Sequence, residues 1–369
     1  MRLLYIVNVD WFFVSHRLPI ALEAIKKGYE VHIACGITNK QSYLESLGIH
    51  VHPIPLSRSG TSILTELATI KKLWNIVKEV NPDISHVVTI KGVVYGGIIT
   101  RLLKVKSRIA SISGLGYVFI DNSARVKLLK LIIKKLYGFA LGKDTLVIFQ
   151  NENDKSIFVD GNIIQPSQSL LIRGSGVDLD KFKYIPEPKT IKTVMFLARL
   201  LKDKGLIEFC RAAHIIKKSA DVRFVLVGDL DPDNPNSITE DELASYTDSG
   251  IIEHWGYSQN VESVIPQAHI MVLPSYREGL PKSLLEAAAC GRAVITTDVP
   301  GCRDAIEPNE TGLLVKVKDS NNLAEAIFKL LDDDILREKL GQAGRKLAEE
   351  SFNIDDVIAT HIAIYRGGR

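Results

Sequence analysis

Apolar runs of strand length alternate with segments of helical period from one end of the chain to the other. In the first half "RLLYIVNV", "YEVHIA", "ISHVVTI", "RIASIS" and "TLVIFQ" read as strands. Between them "SHRLPIALEAIKKG" and "TSILTELATIKKLWNIVKEVNP" place apolar residues at i, i+3 and i+4, and the second stops at Asn81-Pro82 as helices do. The alternation restarts after residue 190, with "KTVMFLA", "VRFVLVG", "IIEHWG", "HIMVLP", "AVITT" and "GLLVKV" as strands and "GLIEFCRAAHIIKKS" among the helices. Strand and helix in strict alternation predict parallel sheets with crossover helices, an α/β class.

The segment "VDLDKFKYIPEPKTIK", with Pro186 and Pro188 and no apolar period, reads as a linker. It divides the chain into two doubly wound, Rossmann-like domains, residues 1–180 and 190–350. The last stretch, 351–369, reads as a helix packing across both. Two such domains facing each other form a cleft at the carboxyl ends of their strands, so function is expected on residues that directly follow strands. At 369 residues the chain exceeds the roughly 250–300 residues of a single core, which agrees.

Composition adds a compartment and a partner. Hydrophobic content is 46% and charged content 24%, with no stretch of about 18 uncharged apolar residues. "MRLLYIVNVDW" reads as a strand, not a signal peptide, and Cys35, Cys210, Cys290 and Cys302 lie far apart with no C-x-x-C pair. Buried thiols in a reducing cytoplasm are expected. The net charge of +3 hides an asymmetry: residues 1–180 hold 22 Lys and Arg against 14 Asp and Glu, the remainder 24 against 29. Between Arg101 and Lys135 the cations Arg101, Lys104, Lys106, Arg108, Arg125, Lys127, Lys130, Lys134 and Lys135 face Asp121 alone. Such a surplus calls for an anionic partner.

In the second half, Arg199 ends a strand in "RLLKDKG" and Lys204 stands just before Gly205 opens a helix. Two cations beside a helix start form an anion site suited to a diphosphate. "SYREGLPKSLLEAAACG" repeats the logic: a turn through Gly279 leads to Pro281 at a helix start, with the amides of Leu280, Lys282, Ser283 and Leu284 expected free. Glu278 and Glu286 bracket that turn. Eight helical residues span about 12 Å, more than the roughly 5–9.5 Å between glycosidase carboxylates. The two acids therefore fit opposite ends of one elongated ligand, one on sugar hydroxyls and one on ribose hydroxyls. The D-x-D triplets at Asp178-Leu179-Asp180, Asp229-Leu230-Asp231 and Asp231-Pro232-Asp233 read as solvated turns.

In the first half "NVDWFFVSHRLP" follows the first strand as a loop. His16 and Arg17 at a helix start are placed to hold an acceptor phosphate, and Asp10 to accept its hydroxyl proton. Gly114 and Gly116 follow a later strand and precede a basic, strongly apolar helix, the kind that lies in the headgroup region of an anionic membrane.

These residues together resemble the retaining GT-B glycosyltransferases of family 4. The likeness rests on Glu278-x7-Glu286, Arg199 with Lys204-Gly205, "VLVGD", "HWGYSQNVESVIPQAHIMVLPSY" and "TTDVPGCRDAI", and covers nearly the whole chain. The resemblance implies that Glu278 stands beside the donor sugar and Glu286 holds the ribose. It implies that Arg199 and Lys204 bind the diphosphate as it leaves, and that Trp255, Gly256 and Tyr257 hold the base through their backbone. No metal, cofactor or nucleic acid is called for; the nucleotide sugar is a substrate. The family's Gly-rich first loop and its histidine near Ser113 have no counterpart here.

Within the family, "DWFFVSHRLPIALEA", "SGLGYVF" and "GSGVDLDKF" look most like bacterial enzymes that add GalNAc, GlcNAc or a hexose from a UDP-sugar to a polyprenyl-diphosphate-linked saccharide. The implied location is the inner face of the cytoplasmic membrane, held by the basic first domain. A nucleotide-sugar epimerase and a non-catalytic sugar-nucleotide-binding subunit are the alternative readings, since a similar scaffold supports both.

Overall fold

The computed structural model describes residues 1–56, 63–115, 124–217 and 221–367. Gly116 and Asp121 lie outside the described residues, as do the side chains of Arg125, Lys127 and Lys130. The chain forms two compact units, Met1–Ser175 with Asp356–Arg369, and Gly176–Asp355.

The first unit holds strands β1 (Arg2–Val9), β2 (Glu30–Gly36), β3 (His50–Pro53), β4 (Ile84–Val88), β5 (Ser107–Ile112), β6 (Thr145–Phe149) and β7 (Ser169–Leu171). They pair in the order β3-β2-β1-β4-β5-β6-β7, parallel throughout. The second unit holds β8 (Thr193–Leu197), β9 (Arg223–Val227), β10 (Ile252–His254), β11 (Ile270–Leu273), β12 (Ala293–Thr297) and β13 (Gly312–Val315). Their order is β10-β9-β8-β11-β12-β13, again all parallel. Central strands are continuous apolar runs because helices cover both faces; Leu3, Leu4, Tyr5, Ile6 and Val7 are all fully buried. In each sheet the strand order reverses beside the first strand of the unit, which is where such sheets bind ligands at their carboxyl ends.

The helices of the first unit are α1 (Asp10–His16), α2 (Leu18–Lys26), α3 (Gln41–Ser46), α4 (Ile63–Val80), α5 (Gly97–Leu102), α6 (Ala124–Leu141) and α7 (Glu152–Asp160). Those that follow are α8 (Leu206–Ile216), α9 (Glu240–Thr247), α10 (Val261–Val264), α11 (Lys282–Ala289), α12 (Ser320–Asp332), α13 (Asp334–Ser351) and α14 (Ile354–Tyr365). A π-helical turn, Gly92–Gly96, leads into α5. Gly92 fits there because a Cβ would come within 2.9 Å of the Ile6 carbonyl oxygen.

The chain divides at Gly176, earlier than the proline-rich segment suggests, because that segment is packed and not free. Val177 N–H donates to Phe352 O at 2.8 Å and accepts at its own carbonyl from Ile354 N–H at 3.1 Å. Phe182 enters the core of the second unit, Glu187 pairs with Arg337 at 2.8 Å, and Pro188 O bonds the His269 ring at 3.0 Å. Helix α14 runs through the division between the units, with Ile354 and Asp355 in the second and Asp356 onward in the first. Tyr365 is buried there, its hydroxyl 2.7 Å from both Tyr5 Oη and His86 Nδ1. Among the described residues no helix is long and apolar enough to cross a membrane.

Candidate active site

The turns after β8 and β11 carry the chemistry of the second unit. Leu200 and Leu201 bury themselves beneath the first turn and leave Arg199 and Lys204 at its surface. Gly205 then starts α8 at φ +77°, with a Cβ position occupied by the Pro274 carbonyl at the end of β11. Only glycine allows both the left-handed backbone and that approach. The approach brings Lys204 Nζ onto Glu278 Oε1, which also accepts from Ser275 Oγ at 2.8 Å. Tyr276 locks the two turns together, its N–H on Asp203 O at 2.9 Å and its hydroxyl on both oxygens of buried Glu208 at 3.0 and 3.1 Å. Burial and the Glu208 carboxylate hold the Tyr276 hydroxyl protonated, well above its ordinary range.

Beyond Glu278, Gly301 leaves room for the Glu278 backbone, and the chain enters α11 with Pro281 as its cap residue. The amides of Leu280 and Ser283 carry no hydrogen bond among the described residues. The Leu284 amide, expected free, is taken by Pro281 O at 3.1 Å, because the extended proline closes a turn ahead of the helix. Leu280 and Leu284 turn their side chains into the core. Glu286, 7% exposed, lies one helical turn from Lys282 Nζ at 3.3 Å. Burial pushes its carboxyl above the ordinary carboxylate range; Lys282 and Lys181 oppose the shift and Glu262 adds to it. Glu278 and Glu286 thus sit in separate surroundings, each beside its own lysine.

Of the aspartates read as solvated turns, Asp180, Asp229 and Asp233 are exposed as expected, while Asp231 is mostly covered, and two of them are tied to neighbouring site loops. Asp231 pairs with Arg199 Nη1 at 2.5 Å, and Asp229 Oδ1 accepts from Tyr257 N–H at 3.1 Å. Both follow β9, so the strand's carboxyl end delivers them to the site, a signal the triplet pattern obscured. Gly256 O takes Gly228 N–H at 2.9 Å and Trp255 N–H reaches Leu226 O at 2.9 Å, which fixes the loop of Trp255, Gly256 and Tyr257 against β9. The Trp255 indole N–H donates to Glu253 at 3.0 Å and its ring lies under Arg223, while the Tyr257 side chain is exposed. Asp178 accepts from the amides of Asp180 and Lys181 in a local turn. Among the described residues no group of three or more His, Cys, Asp or Glu is arranged to hold a metal.

In the first unit the predicted acceptor residues have structural employment. The stretch after β1 is helix α1 and not a loop. Asp10 opens it, fully buried, and its carboxylate accepts from Thr38 Oγ1 (2.7 Å), Thr38 N (2.8 Å), Lys40 N (3.0 Å) and Trp11 N (2.8 Å). Burial opposes its charge, yet those four donors win and hold its pKa below the usual value. A carboxylate so saturated is a clamp on residues 38–40, poorly suited to accept a proton. His16 ends α1, stacked on Phe12 at 4.2 Å. Arg17, 2% exposed, lies inside the core near Tyr5 and Tyr365, out of reach of a surface phosphate. Gly114 adopts φ +109° after β5. At the same carboxyl edge, Asn8 Oδ1 and Ser113 Oγ are buried without a hydrogen-bond partner among the described residues, and Thr89 sits at φ +69°, strained for a β-branched residue. The polar Asn8 inside an apolar strand was the available sequence signal for this edge.

"Glycosyl transferases group 1" describes the family whose pattern matches residues 178–347, and "Glycosyl transferase 4-like" the one matching residues 2–151. The chain is 28% identical over 371 residues to the N,N'-diacetylbacillosaminyl-diphospho-undecaprenol alpha-1,3-N-acetylgalactosaminyltransferase of Campylobacter jejuni, covering 97% of this chain and 96% of that one. It is 25% identical to the UDP-Gal:alpha-D-GlcNAc-diphosphoundecaprenol alpha-1,3-galactosyltransferase of Escherichia coli, over 82% and 79% of the two chains. Among solved structures, sucrose-phosphate synthase from Thermosynechococcus elongatus superposes with TM-score 0.81 at 19% identity, covering 100% and 99% of the two chains. Anabaena HepE in complex with UDP gives 0.79 at 17% identity over the full length of both. With two parallel-sheet units, the paired turns around Lys204 and Glu278, and matches along nearly its whole length, the chain belongs to the family 4 type of GT-B glycosyltransferases.

Proposed function

We propose that this glycosyltransferase moves GalNAc or GlcNAc from its UDP donor to a polyprenyl-diphosphate-linked saccharide, with retention of anomeric configuration, in assembly of a bacterial surface polysaccharide. The observation that carries the reading is the pairing of the turns after β8 and β11, which brings Lys204 onto Glu278 beside a helix start where the Leu280 and Ser283 amides carry no hydrogen bond among the described residues, with Arg199 on the first of the two turns. The printed activities of the Campylobacter jejuni and Escherichia coli relatives, both on diphospho-undecaprenol-linked sugars, support the acceptor class. HepE was solved with UDP.

In this scheme the diphosphate lies against Lys204 and Arg199, Glu278 accepts from sugar hydroxyls and Glu286 from the ribose. As the bond from the anomeric carbon to the diphosphate oxygen breaks, negative charge grows where fixed cations and amides await it, which lowers the barrier more than uniform binding does. The acceptor hydroxyl forms the new glycosidic bond on the face the diphosphate leaves, and its proton passes to the departing diphosphate oxygen. That route needs no carboxylate base, in keeping with the saturated state of Asp10. Lys204 and Arg199 supply the charge that a metal supplies elsewhere.

The acceptor is anchored in a membrane, and the first unit offers a surface for one. Ile132, Leu136 and Phe139 lie at i, i+4 and i+7 on α6, all exposed, and Arg101 bonds Phe139 O and covers its ring at 5.1 Å. Exposed Leu102 follows Arg101 on α5, and Lys104, Lys106 and Lys135 are close in sequence. An apolar stripe among cations fits the headgroup region of an anionic bilayer.

The test is turnover on a panel of UDP-sugars with synthetic undecaprenyl-diphosphate saccharides. The proposal expects UDP release that depends on acceptor, persists in EDTA and yields an α-linked product with one N-acetylhexosamine donor. Release from no combination, an inverted product, or isomerised UDP-sugar without acceptor overturns it.

A further inference from the structure

A second basic surface on the second unit is not used by the donor site. A groove of about 860 Å³ opens between α8, α9 and the segment joining β13 to α12, lined among others by Arg211, His214, Tyr246, Lys316, Lys318 and Asp319. That volume falls in the range of about 300–1,000 Å³ typical of small-molecule sites.

What sets this groove apart is that its cations border a single concavity. The chain after residue 180 carries more acid than base, 29 against 24. Elsewhere on the unit some cations have found carboxylates, such as Lys192 with Asp334, Lys202 with Glu242, Arg223 with Glu253, Arg337 with Glu187 and Arg345 with Glu349, while Lys183, Lys189, Lys329 and Lys339 have none among the described residues. In the groove, Arg211, Lys316 and Lys318 have no carboxylate partner among the described residues. Lys318 rests its ammonium 4.8 Å from the centre of the Tyr276 ring. The one acid there, Asp319, turns its carboxylate to the Asn322 amide at 2.9 Å and caps α12. His214 uses Nδ1 on Cys210 O at 2.8 Å. Arg211, Lys316 and Lys318 are exposed and border one concavity, so a multivalent anion seated there would meet all three at once.

We propose that this groove binds a phosphate-bearing small molecule, at a site separate from the donor diphosphate. Guanidinium and ammonium groups of Arg211, Lys316 and Lys318 take the phosphate oxygens, and Tyr246 gives the remainder of the ligand an aromatic wall. Arg199 and Lys204 take no part, since neither lines this groove.

Calorimetric titration with inorganic pyrophosphate at low ionic strength tests this without any need for turnover. Three proteins are compared: the wild type, R199A/K204A and R211E/K316E. One pyrophosphate site is expected to survive in R199A/K204A and to weaken at least tenfold in R211E/K316E, whose UDP affinity stays within about twofold of wild type. Should the reversed charges prevent folding, R211Q/K316Q gives the same comparison. Loss of all pyrophosphate binding in R199A/K204A, or wild-type binding in the groove variants, overturns the proposal.

Discussion

Replacing Lys204 by Met removes the ammonium on Glu278 and keeps most of the aliphatic volume. Unit charges about 4 Å apart at an effective dielectric of about 20 interact by about 4 kcal/mol. The leaving diphosphate gains about half to one unit of charge in the transition state, so the ammonium is worth about 2–4 kcal/mol there, the range found for other fixed donors to developing charge. At 1.36 kcal/mol per decade, kcat falls about 30- to 1,000-fold. Because the charge is greatest in the transition state, kcat should fall by more than the donor KM rises. Stability should fall modestly, by about 1–3 kcal/mol: Glu278, its side chain 12% exposed, loses its cation and keeps the Ser275 hydroxyl at 2.8 Å. The assay is acceptor-dependent UDP release, with thermal unfolding as the control for folding. A K204M protein with kcat within threefold of wild type refutes the assignment of Lys204 to the leaving group.

Other substitutions separate stability from function. Asp10→Asn should cost about 1–3 kcal/mol, because at least one of its four donors loses an acceptor. The lowered carboxyl stabilises the fold above its unfolded value near 3.8 and loses that effect as pH falls through the folded value, so the gap between variant and wild type should close on acidification, read by circular dichroism. Glu286→Gln should do the reverse at neutral pH. A buried carboxyl with a raised pKa costs stability as pH rises through that value, so the variant should melt at or above wild type while donor KM rises about 10- to 100-fold from the lost charged acceptor. Gly205→Ala, at φ +77° against the Pro274 carbonyl, should destabilise the second unit by about 2–4 kcal/mol in urea unfolding. Leu136→Asp with Phe139→Asp should abolish flotation with anionic vesicles and leave UDP affinity unchanged.

The long apolar strands of both sheets were legible because burial on two faces leaves no room for polar positions. Two edge strands were not. β3, reading His50-Val51-His52-Pro53, and β7, of three residues, are short and half-exposed, so nothing in their composition separates them from loops. α1 was hidden too: "DWFFVSH" has no helical polar face, and Asp10 opens the helix through its bonds to Thr38 and Lys40, 28 and 30 residues away. The turns at Arg199, Lys204 and Glu278 could be read since glycine and proline punctuate them. Asp229 and Asp231 could not, because their partners Tyr257 and Arg199 come from other loops that only the sheet order brings together.

The central claim is that the second unit grips a nucleotide sugar by its diphosphate. A crystal structure with a non-hydrolysable UDP-N-acetylhexosamine analogue measures it most directly. The account places the distal phosphate within hydrogen-bond distance of Lys204 Nζ and of the Leu280 or Ser283 amide, with Arg199 released from Asp231. A diphosphate bound away from these groups, with the Lys204–Glu278 and Arg199–Asp231 pairs intact, contradicts it.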